Sequence, residues 1–172
     1  PSEELLSFII LSLHIRNMYE AIAEGYDELY GDEQLKKLAI VKPYIEGKVL
    51  DLGAGTGIVA KHISNVTSLE PCKEMLDLAP QPKVLGKAEN IPFQANTFDT
   101  IISLTVLHHC DIDKVILEIQ RLNPKVLLLT ILKKSKHAKE IIDKLNKSFD
   151  MKVLEEEKDY ILIKKFQRKN PY

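Results

Sequence analysis

Apolar residues in this chain fall into short blocks that alternate between two spacings. Val49-Leu50-Asp51-Leu52, Val66-Thr67-Ser68-Leu69, Val84-Leu85, Phe98 to Leu104 and Val126 to Leu132 read as strands, the last two apolar enough to lie inside a parallel sheet. Val153-Leu154 and Tyr160 to Ile163 read as a closing pair, with Glu155 to Asp159 as the turn between them. Between these blocks the spacing becomes helical. Ile58, Val59, His62 and Ile63 share one helical face before a stop at Ser64-Asn65. Pro71 opens a helix with Met75, Leu76 and Leu78 that Pro80 and Pro82 end. Asp111 caps a helix from Ile112 to Leu122, which Asn123-Pro124 stops, and Ser135 to Phe149 forms another.

Before the first strand, Leu5 to Ile15 is the most apolar segment, and a packed or amphipathic helix is expected there. Acidic Glu3 and Glu4 precede it and Ser7, Ser12 and His14 interrupt it, which suits neither a secretory signal nor a membrane span. From Met18 to Tyr30, Tyr19, Ile22, Tyr26 and Tyr30 recur at helical spacing up to Gly31. Asp32 is then expected to cap a helix with Leu35, Leu38 and Ala39 on its apolar face, limited by Pro43.

Strand–helix alternation of this kind predicts an α/β fold with helices on both faces of a mostly parallel sheet. At the first strand the chemistry becomes specific. Asp51-Leu52-Gly53-Ala54-Gly55-Thr56-Gly57 places glycine at every second position, so the backbone can turn tightly and present its amide hydrogens to a ligand. A strand, a glycine turn and a helix make half of a nucleotide-binding βαβ unit, which predicts a second strand ending in an acid that holds a ribose; Glu70 is that acid. The dinucleotide fingerprint wants glycine three places after Gly55, where Ile58 stands, and this tells against a nicotinamide or flavin dehydrogenase.

Asp51 to Gly57 after a strand, with Glu70 closing the next, resembles the class I S-adenosylmethionine-dependent methyltransferases, as a small, single-domain member. The resemblance implies a Rossmann-like seven-stranded sheet, mostly parallel with the last strand antiparallel, and S-adenosyl-L-methionine as cofactor. It implies one domain over 1–172, with 1–44 a helical cover and 45–172 the core. Carried onto this sequence, the cofactor would meet Asp51, Gly53, Ala54, Gly55, Gly57, Glu70 and Pro71. Ala88 and Glu89, in a stretch similar to the family's adenine-side loop, would meet the adenine, and Leu104 and Thr105 would border the site from the end of the fourth strand. Tyr19 and Tyr26 would close over the methionine end, or form a stripe packed on the sheet. His108 and His109 follow the strand whose C-terminal end faces the crevice, and either can serve as the base if the acceptor is nitrogen or oxygen, or line and pack the pocket.

Composition narrows the picture further. A chain of 172 residues with 45% hydrophobic content builds a core without staples, and its two cysteines, Cys72 and Cys110, suit a reducing cytoplasm. His108, His109, Cys110 and Asp111 are consecutive and lack the spacing of metal ligands, so no metal is expected. The net charge of −1 divides unevenly: residues 1–113 carry 9 basic and 17 acidic side chains, and 114–172 carry 15 and 8. Lys133, Lys134, Lys136 and Lys139 form a solvated surface or meet an anionic partner. The acceptor is open between a small molecule and a tRNA base. A cofactor-binding subunit that needs an activating partner is the alternative to an enzyme active alone.

Overall fold

The computed structural model describes residues 25–167 and, before them, only Ile10, Leu13, His14 and Asn17. The expected helix over 5–15 therefore lies mostly outside the described residues, as do Tyr19 and the side chain of Tyr26. Helix α1 spans Tyr26–Val41. Strand β1 (Val49–Leu52) leads into α2 (Ile58–His62), β2 (Val66–Glu70), α3 (Lys73–Asp77), β3 (Lys83–Leu85) and β4 (Thr100–Leu104). Then come a 3-10 turn (Leu107–His109), α4 (Ile112–Leu122), β5 (Val126–Leu132), α5 (Ala138–Phe149), β6 (Lys152–Glu155) and β7 (Asp159–Lys165).

The seven strands form one sheet in the order β3-β2-β1-β4-β5-β7-β6. β1 to β5 pair in parallel, while β7 runs antiparallel to both β5 and β6. Strand order reverses beside β1, and in open α/β sheets the crevice for a ligand lies outside the C-terminal ends of the strands at such a point.

Alternation along each strand divides the interior into two cores. Leu50, Ile101, Leu127, Leu129 and Leu162 face α4 and α5, and Val49, Ile102, Leu128, Ile161 and Ile163 face α1 and α2. The central strands β1, β4 and β5 are buried on both faces, which is why β4 and β5 read as continuous apolar runs. Asp111 caps α4 by accepting a hydrogen bond from the Lys114 backbone N–H, and Asn123 ends it in the left-handed region at φ 52°.

Three boundaries depart from the sequence reading. α1 runs unbroken through Gly31 and Asp32, where a stop and a new cap were expected. Burial against the sheet overrides the local preference of Gly and Asp, because tertiary packing supplies most helix stability. Its buried positions are Gly31, Gln34, Lys37, Leu38 and Val41; Leu35 is half-buried and Ala39 is exposed. α5 begins at Ala138 rather than Ser135, since 133–137 turn the chain out of β5. β4 starts at Thr100 instead of Phe98, whose ring is core and packs edge-on against Phe93.

Candidate functional site

The glycine turn leaves β1 at the C-terminal edge of the sheet. Gly53, Gly55 and Gly57 all take positive φ (69°, 56° and 79°), a conformation that side chains disfavour. Two of them are also close approaches. A Cβ on Gly53 would stand 2.4 Å from Val106 Cγ1, and one on Gly57 would stand 2.7 Å from Ala79 Cβ. Ala54 is buried beside them.

Glu70 ends β2 beside this turn. The Gly55 backbone N–H donates to Glu70 Oε2 and the Cys72 N–H to Oε1, each at 2.9 Å. Each carboxylate oxygen accepts one amide and retains a further lone pair. Burial raises the Glu70 pKa, and the two amide hydrogen bonds oppose that rise. Asp51 is 2% exposed on the α1 side of β1, and its Oδ2 has no hydrogen-bond partner among the described residues. Burial, then the nearby Glu70, pushes the Asp51 carboxyl up to about 8. Ser68, its register partner on β2, has a buried hydroxyl that also lacks a partner among the described residues. Native interiors satisfy such groups, so orphaned oxygens at the edge of a crevice mark a place for a polar ligand.

Ala88 and Glu89 form the tip of a tight turn closed by the Lys87–Asn90 bridge. Glu89 Oε1 accepts from the Asp111 N–H, which ties this loop to the start of α4. Pro71 is exposed next to Glu70, and Leu104 is buried at the end of β4.

Thr105 follows Leu104 with φ 59°. Its hydroxyl lies 2.7 Å from Lys37 Nζ, 2.9 Å from Asp159 Oδ1 and 3.0 Å from Thr130 Oγ1, and its N–H donates to Thr130 Oγ1. A hydroxyl has one donor and two acceptor positions. The side chain is thus fully used within the protein, and the carbonyl is what Thr105 has left for a ligand. The 3-10 turn then brings the His108 and His109 rings together, with centroids 3.8 Å apart and planes tilted by 47°. His108 Nδ1 is buried without a hydrogen-bond partner among the described residues, whereas His109 is exposed. Burial, His109 and Lys37 together lower the His108 pKa to about 4, so the ring is neutral at pH 7; burial also lowers that of His109. The Cys110 thiol, pushed up to about 12 chiefly by burial, is inert as a nucleophile.

Sequence reasoning missed Lys37, Asp159 and Thr130. The signal in Lys37 is its helical phase, three after Gln34 and four before Val41. Elsewhere, a cavity of about 360 Å³ lined by Lys48, Asn65, Val66 and Pro82 opens at the opposite end of β1 and β2.

Taken together, the topology, the glycine turn and a carboxylate clamped at the end of β2 define a Rossmann-like domain. Residues 50–127 match the family described as Methyltransferase domain. An uncharacterized protein of Methanocaldococcus jannaschii is 33% identical over 62% of this chain and 46% of its own length. An uncharacterized methyltransferase of Mycobacterium tuberculosis is 35% identical over 46% of this chain and 36% of its own. The chain thus spans half or less of the length of these relatives. Among solved structures, a putative methyltransferase of Haloferax volcanii, in complex with the Trm112 methyltransferase activator, superposes with a TM-score of 0.62 at 17% identity. That likeness covers 80% of this chain and 77% of the other, and it shows the fold. Over its core the chain is thus similar to S-adenosylmethionine-dependent methyltransferases, and that likeness implies S-adenosyl-L-methionine as the cofactor.

Proposed function

We propose that the protein transfers a methyl group from S-adenosyl-L-methionine to an acceptor held beside the turn that follows β4. The observation carrying this reading is the Glu70 carboxylate, fixed by the Gly55 and Cys72 amides with one lone pair per oxygen left over. That is the arrangement needed to accept from two vicinal ribose hydroxyls. Asp51, with its unpartnered oxygen, and the turn through Gly53, Ala54, Gly55 and Gly57 would hold the charged methionine end. Ala88 and Glu89 would meet the adenine, whose exocyclic amine needs an acceptor. Pro71, Leu104 and the Thr105 carbonyl would line the space between, and Tyr19 and Tyr26 would close it.

The cofactor supplies a methyl on a sulfonium, which leaves readily to an aligned nucleophile. The protein's own task is to orient the acceptor, exclude water and receive a proton. Neutral His108, with its buried free Nδ1, fits the last role, and His109 is the alternative nearer to solvent. A small molecule or a tRNA base is the acceptor. Lys134, Lys136 and Lys139, exposed after β5 at the crevice end of the sheet, suit an anionic one. An activating protein partner fits the same reading. The Haloferax likeness supports it, and so does the edge strand β3, where Leu85 is 56% exposed.

Calorimetry with S-adenosylmethionine and with NAD tests the cofactor, and binding of NAD alone would overturn the reading. Labelled-methyl transfer to extracted metabolites and bulk tRNA tests the acceptor. No transfer without an added partner, together with normal cofactor binding, would favour the subunit role.

A further inference from the structure

Lys37 has no exposed surface, yet it is charged and sits on the cover helix α1. Its Nζ lies 2.6 Å from Asp159 Oδ2, itself wholly buried at the start of β7, and 3.1 Å from Glu33 Oε1. Removing two charges from water costs more than most buried pairs return, and well-packed apolar residues in their place are often neutral or stabilising. The pair is also unnecessary for docking α1, which buries Leu38 and Val41 in the second core. Near its N-terminal end, Asp27 adds a hydrogen bond from Thr56 and an ion pair with Lys61.

What the pair does hold is Thr105. Lys37 and Asp159 both bond its hydroxyl, and Thr130 bonds its hydroxyl and its N–H. Thr105 is a β-branched residue kept in the left-handed region, a conformation that persists only where the surroundings over-determine it. The consequence lies in the next three residues. With Thr105 so turned, Val106 presses onto Gly53 of the cofactor turn, and His108 is tucked in with its Nδ1 buried. Three segments distant in sequence, at positions 37, 105 and 159, thus meet at the crevice end of β4, β5 and β7.

We propose that Lys37 and Asp159 are positioning residues for methyl transfer, acting through Thr105 to set the Val106–His108 turn against the glycine turn. This rests on the methyltransferase reading above, since it assigns the pair no contact with the cofactor or the acceptor. Removing the grip on Thr105 leaves the helix docked and lets the turn relax, so His108 loses its place while the cofactor's main ligands keep theirs.

Two variants test it. Thr105→Val preserves shape and ion pair and removes the hydroxyl; Lys37→Met with Asp159→Leu removes the pair and leaves no buried charge. The readouts are thermal unfolding, NMR of the Val106 methyls and of both imidazoles from pH 8 to 4.5, and S-adenosylmethionine affinity. In the wild type the His108 ring is expected to stay untitrated above about pH 5. In either variant, folded, the Val106 and His108 resonances move and the ring titrates nearer the ordinary histidine range. S-adenosylmethionine affinity stays within about threefold. Turnover on an acceptor found by the metabolite and tRNA screen falls tenfold or more, and Thr105→Ser restores both signatures. A folded Thr105→Val with wild-type Val106 and His108 spectra, or a Thr105→Ser that restores nothing, overturns the proposal. If the wild type binds no S-adenosylmethionine, the function is wrong; the NMR result still decides the positioning.

Discussion

Asp51 offers a test in which stability and binding move in opposite directions. Its carboxyl is buried on β1 beside Glu70 with one oxygen unpartnered, and its pKa is raised from 3.8 to about 8. A raised acid favours the folded state while it is protonated in both states. As pH rises from about 4 towards 8 the unfolded chain ionises first, and that advantage is lost. Each pKa unit is worth about 1.4 kcal/mol, so the loss at pH 7 has a ceiling of about 4 kcal/mol. Relaxation of real interiors leaves roughly 1–3 kcal/mol of it. Asp51→Asn cannot ionise and is expected to gain that much on the wild type between pH 4.5 and 8. At about 2–4 °C per kcal/mol for a chain of this size, the melting temperatures should separate by several degrees as pH rises. Cofactor binding should move the other way. An ammonium beside Asp51 draws off its proton, so S-adenosylmethionine binding near pH 7 should release up to one proton. Calorimetry in two buffers of different ionisation enthalpy reads that release, and Asp51→Asn should abolish it and weaken binding about tenfold or more. Parallel stability profiles for the two proteins from pH 4.5 to 8, or proton release unchanged in the variant, would refute the reasoning.

Other substitutions probe the remaining parts of the site. Glu70→Ala removes a carboxylate whose charge-assisted hydrogen bonds are worth about 1.5–3 kcal/mol each, so both adenosine and S-adenosylmethionine should bind tenfold or more weakly by calorimetry; normal binding of both would detach Glu70 from the ribose. Gly53→Ala meets a positive φ and Val106 at 2.4 Å, and is expected to cost about 1–3 kcal/mol in denaturant unfolding and to weaken the cofactor. Adding Val106→Ala should recover part of both, and no recovery would place the damage in φ alone. His108→Ala should lower turnover with S-adenosylmethionine affinity within a few-fold, whereas loss of binding in a folded variant would move His108 into the cofactor site.

The sequence by itself determined the parts of this protein that depend on local pattern. Continuous apolar blocks marked the strands of a sheet buried on both faces, and Asp111 with Asn123-Pro124 bounded α4 to the residue. Alternating glycines at 53–57, with Glu70 one strand later, carried the tight turn and the family resemblance, and the structure sets that turn against the Glu70 carboxylate. These signals are short-range: a backbone that must turn at positive φ writes glycine at the position itself. Tertiary structure alone decided where unlike segments meet. Gly31 and Asp32 look like a break, but the helix crosses them because its far side is covered by the sheet. Lys37 has one partner near it in sequence, the half-buried Glu33 one turn earlier, and that alone does not receive an ammonium in the interior. Asp159 and Thr105, 122 and 68 positions away, do so only because the end of β4 and the start of β7 flank the end of β5. For the same reason Gly53 was legible as a tight turn but not as the seat of Val106: the need for glycine is local, while the side chain that fills its space arrives from the turn after another strand.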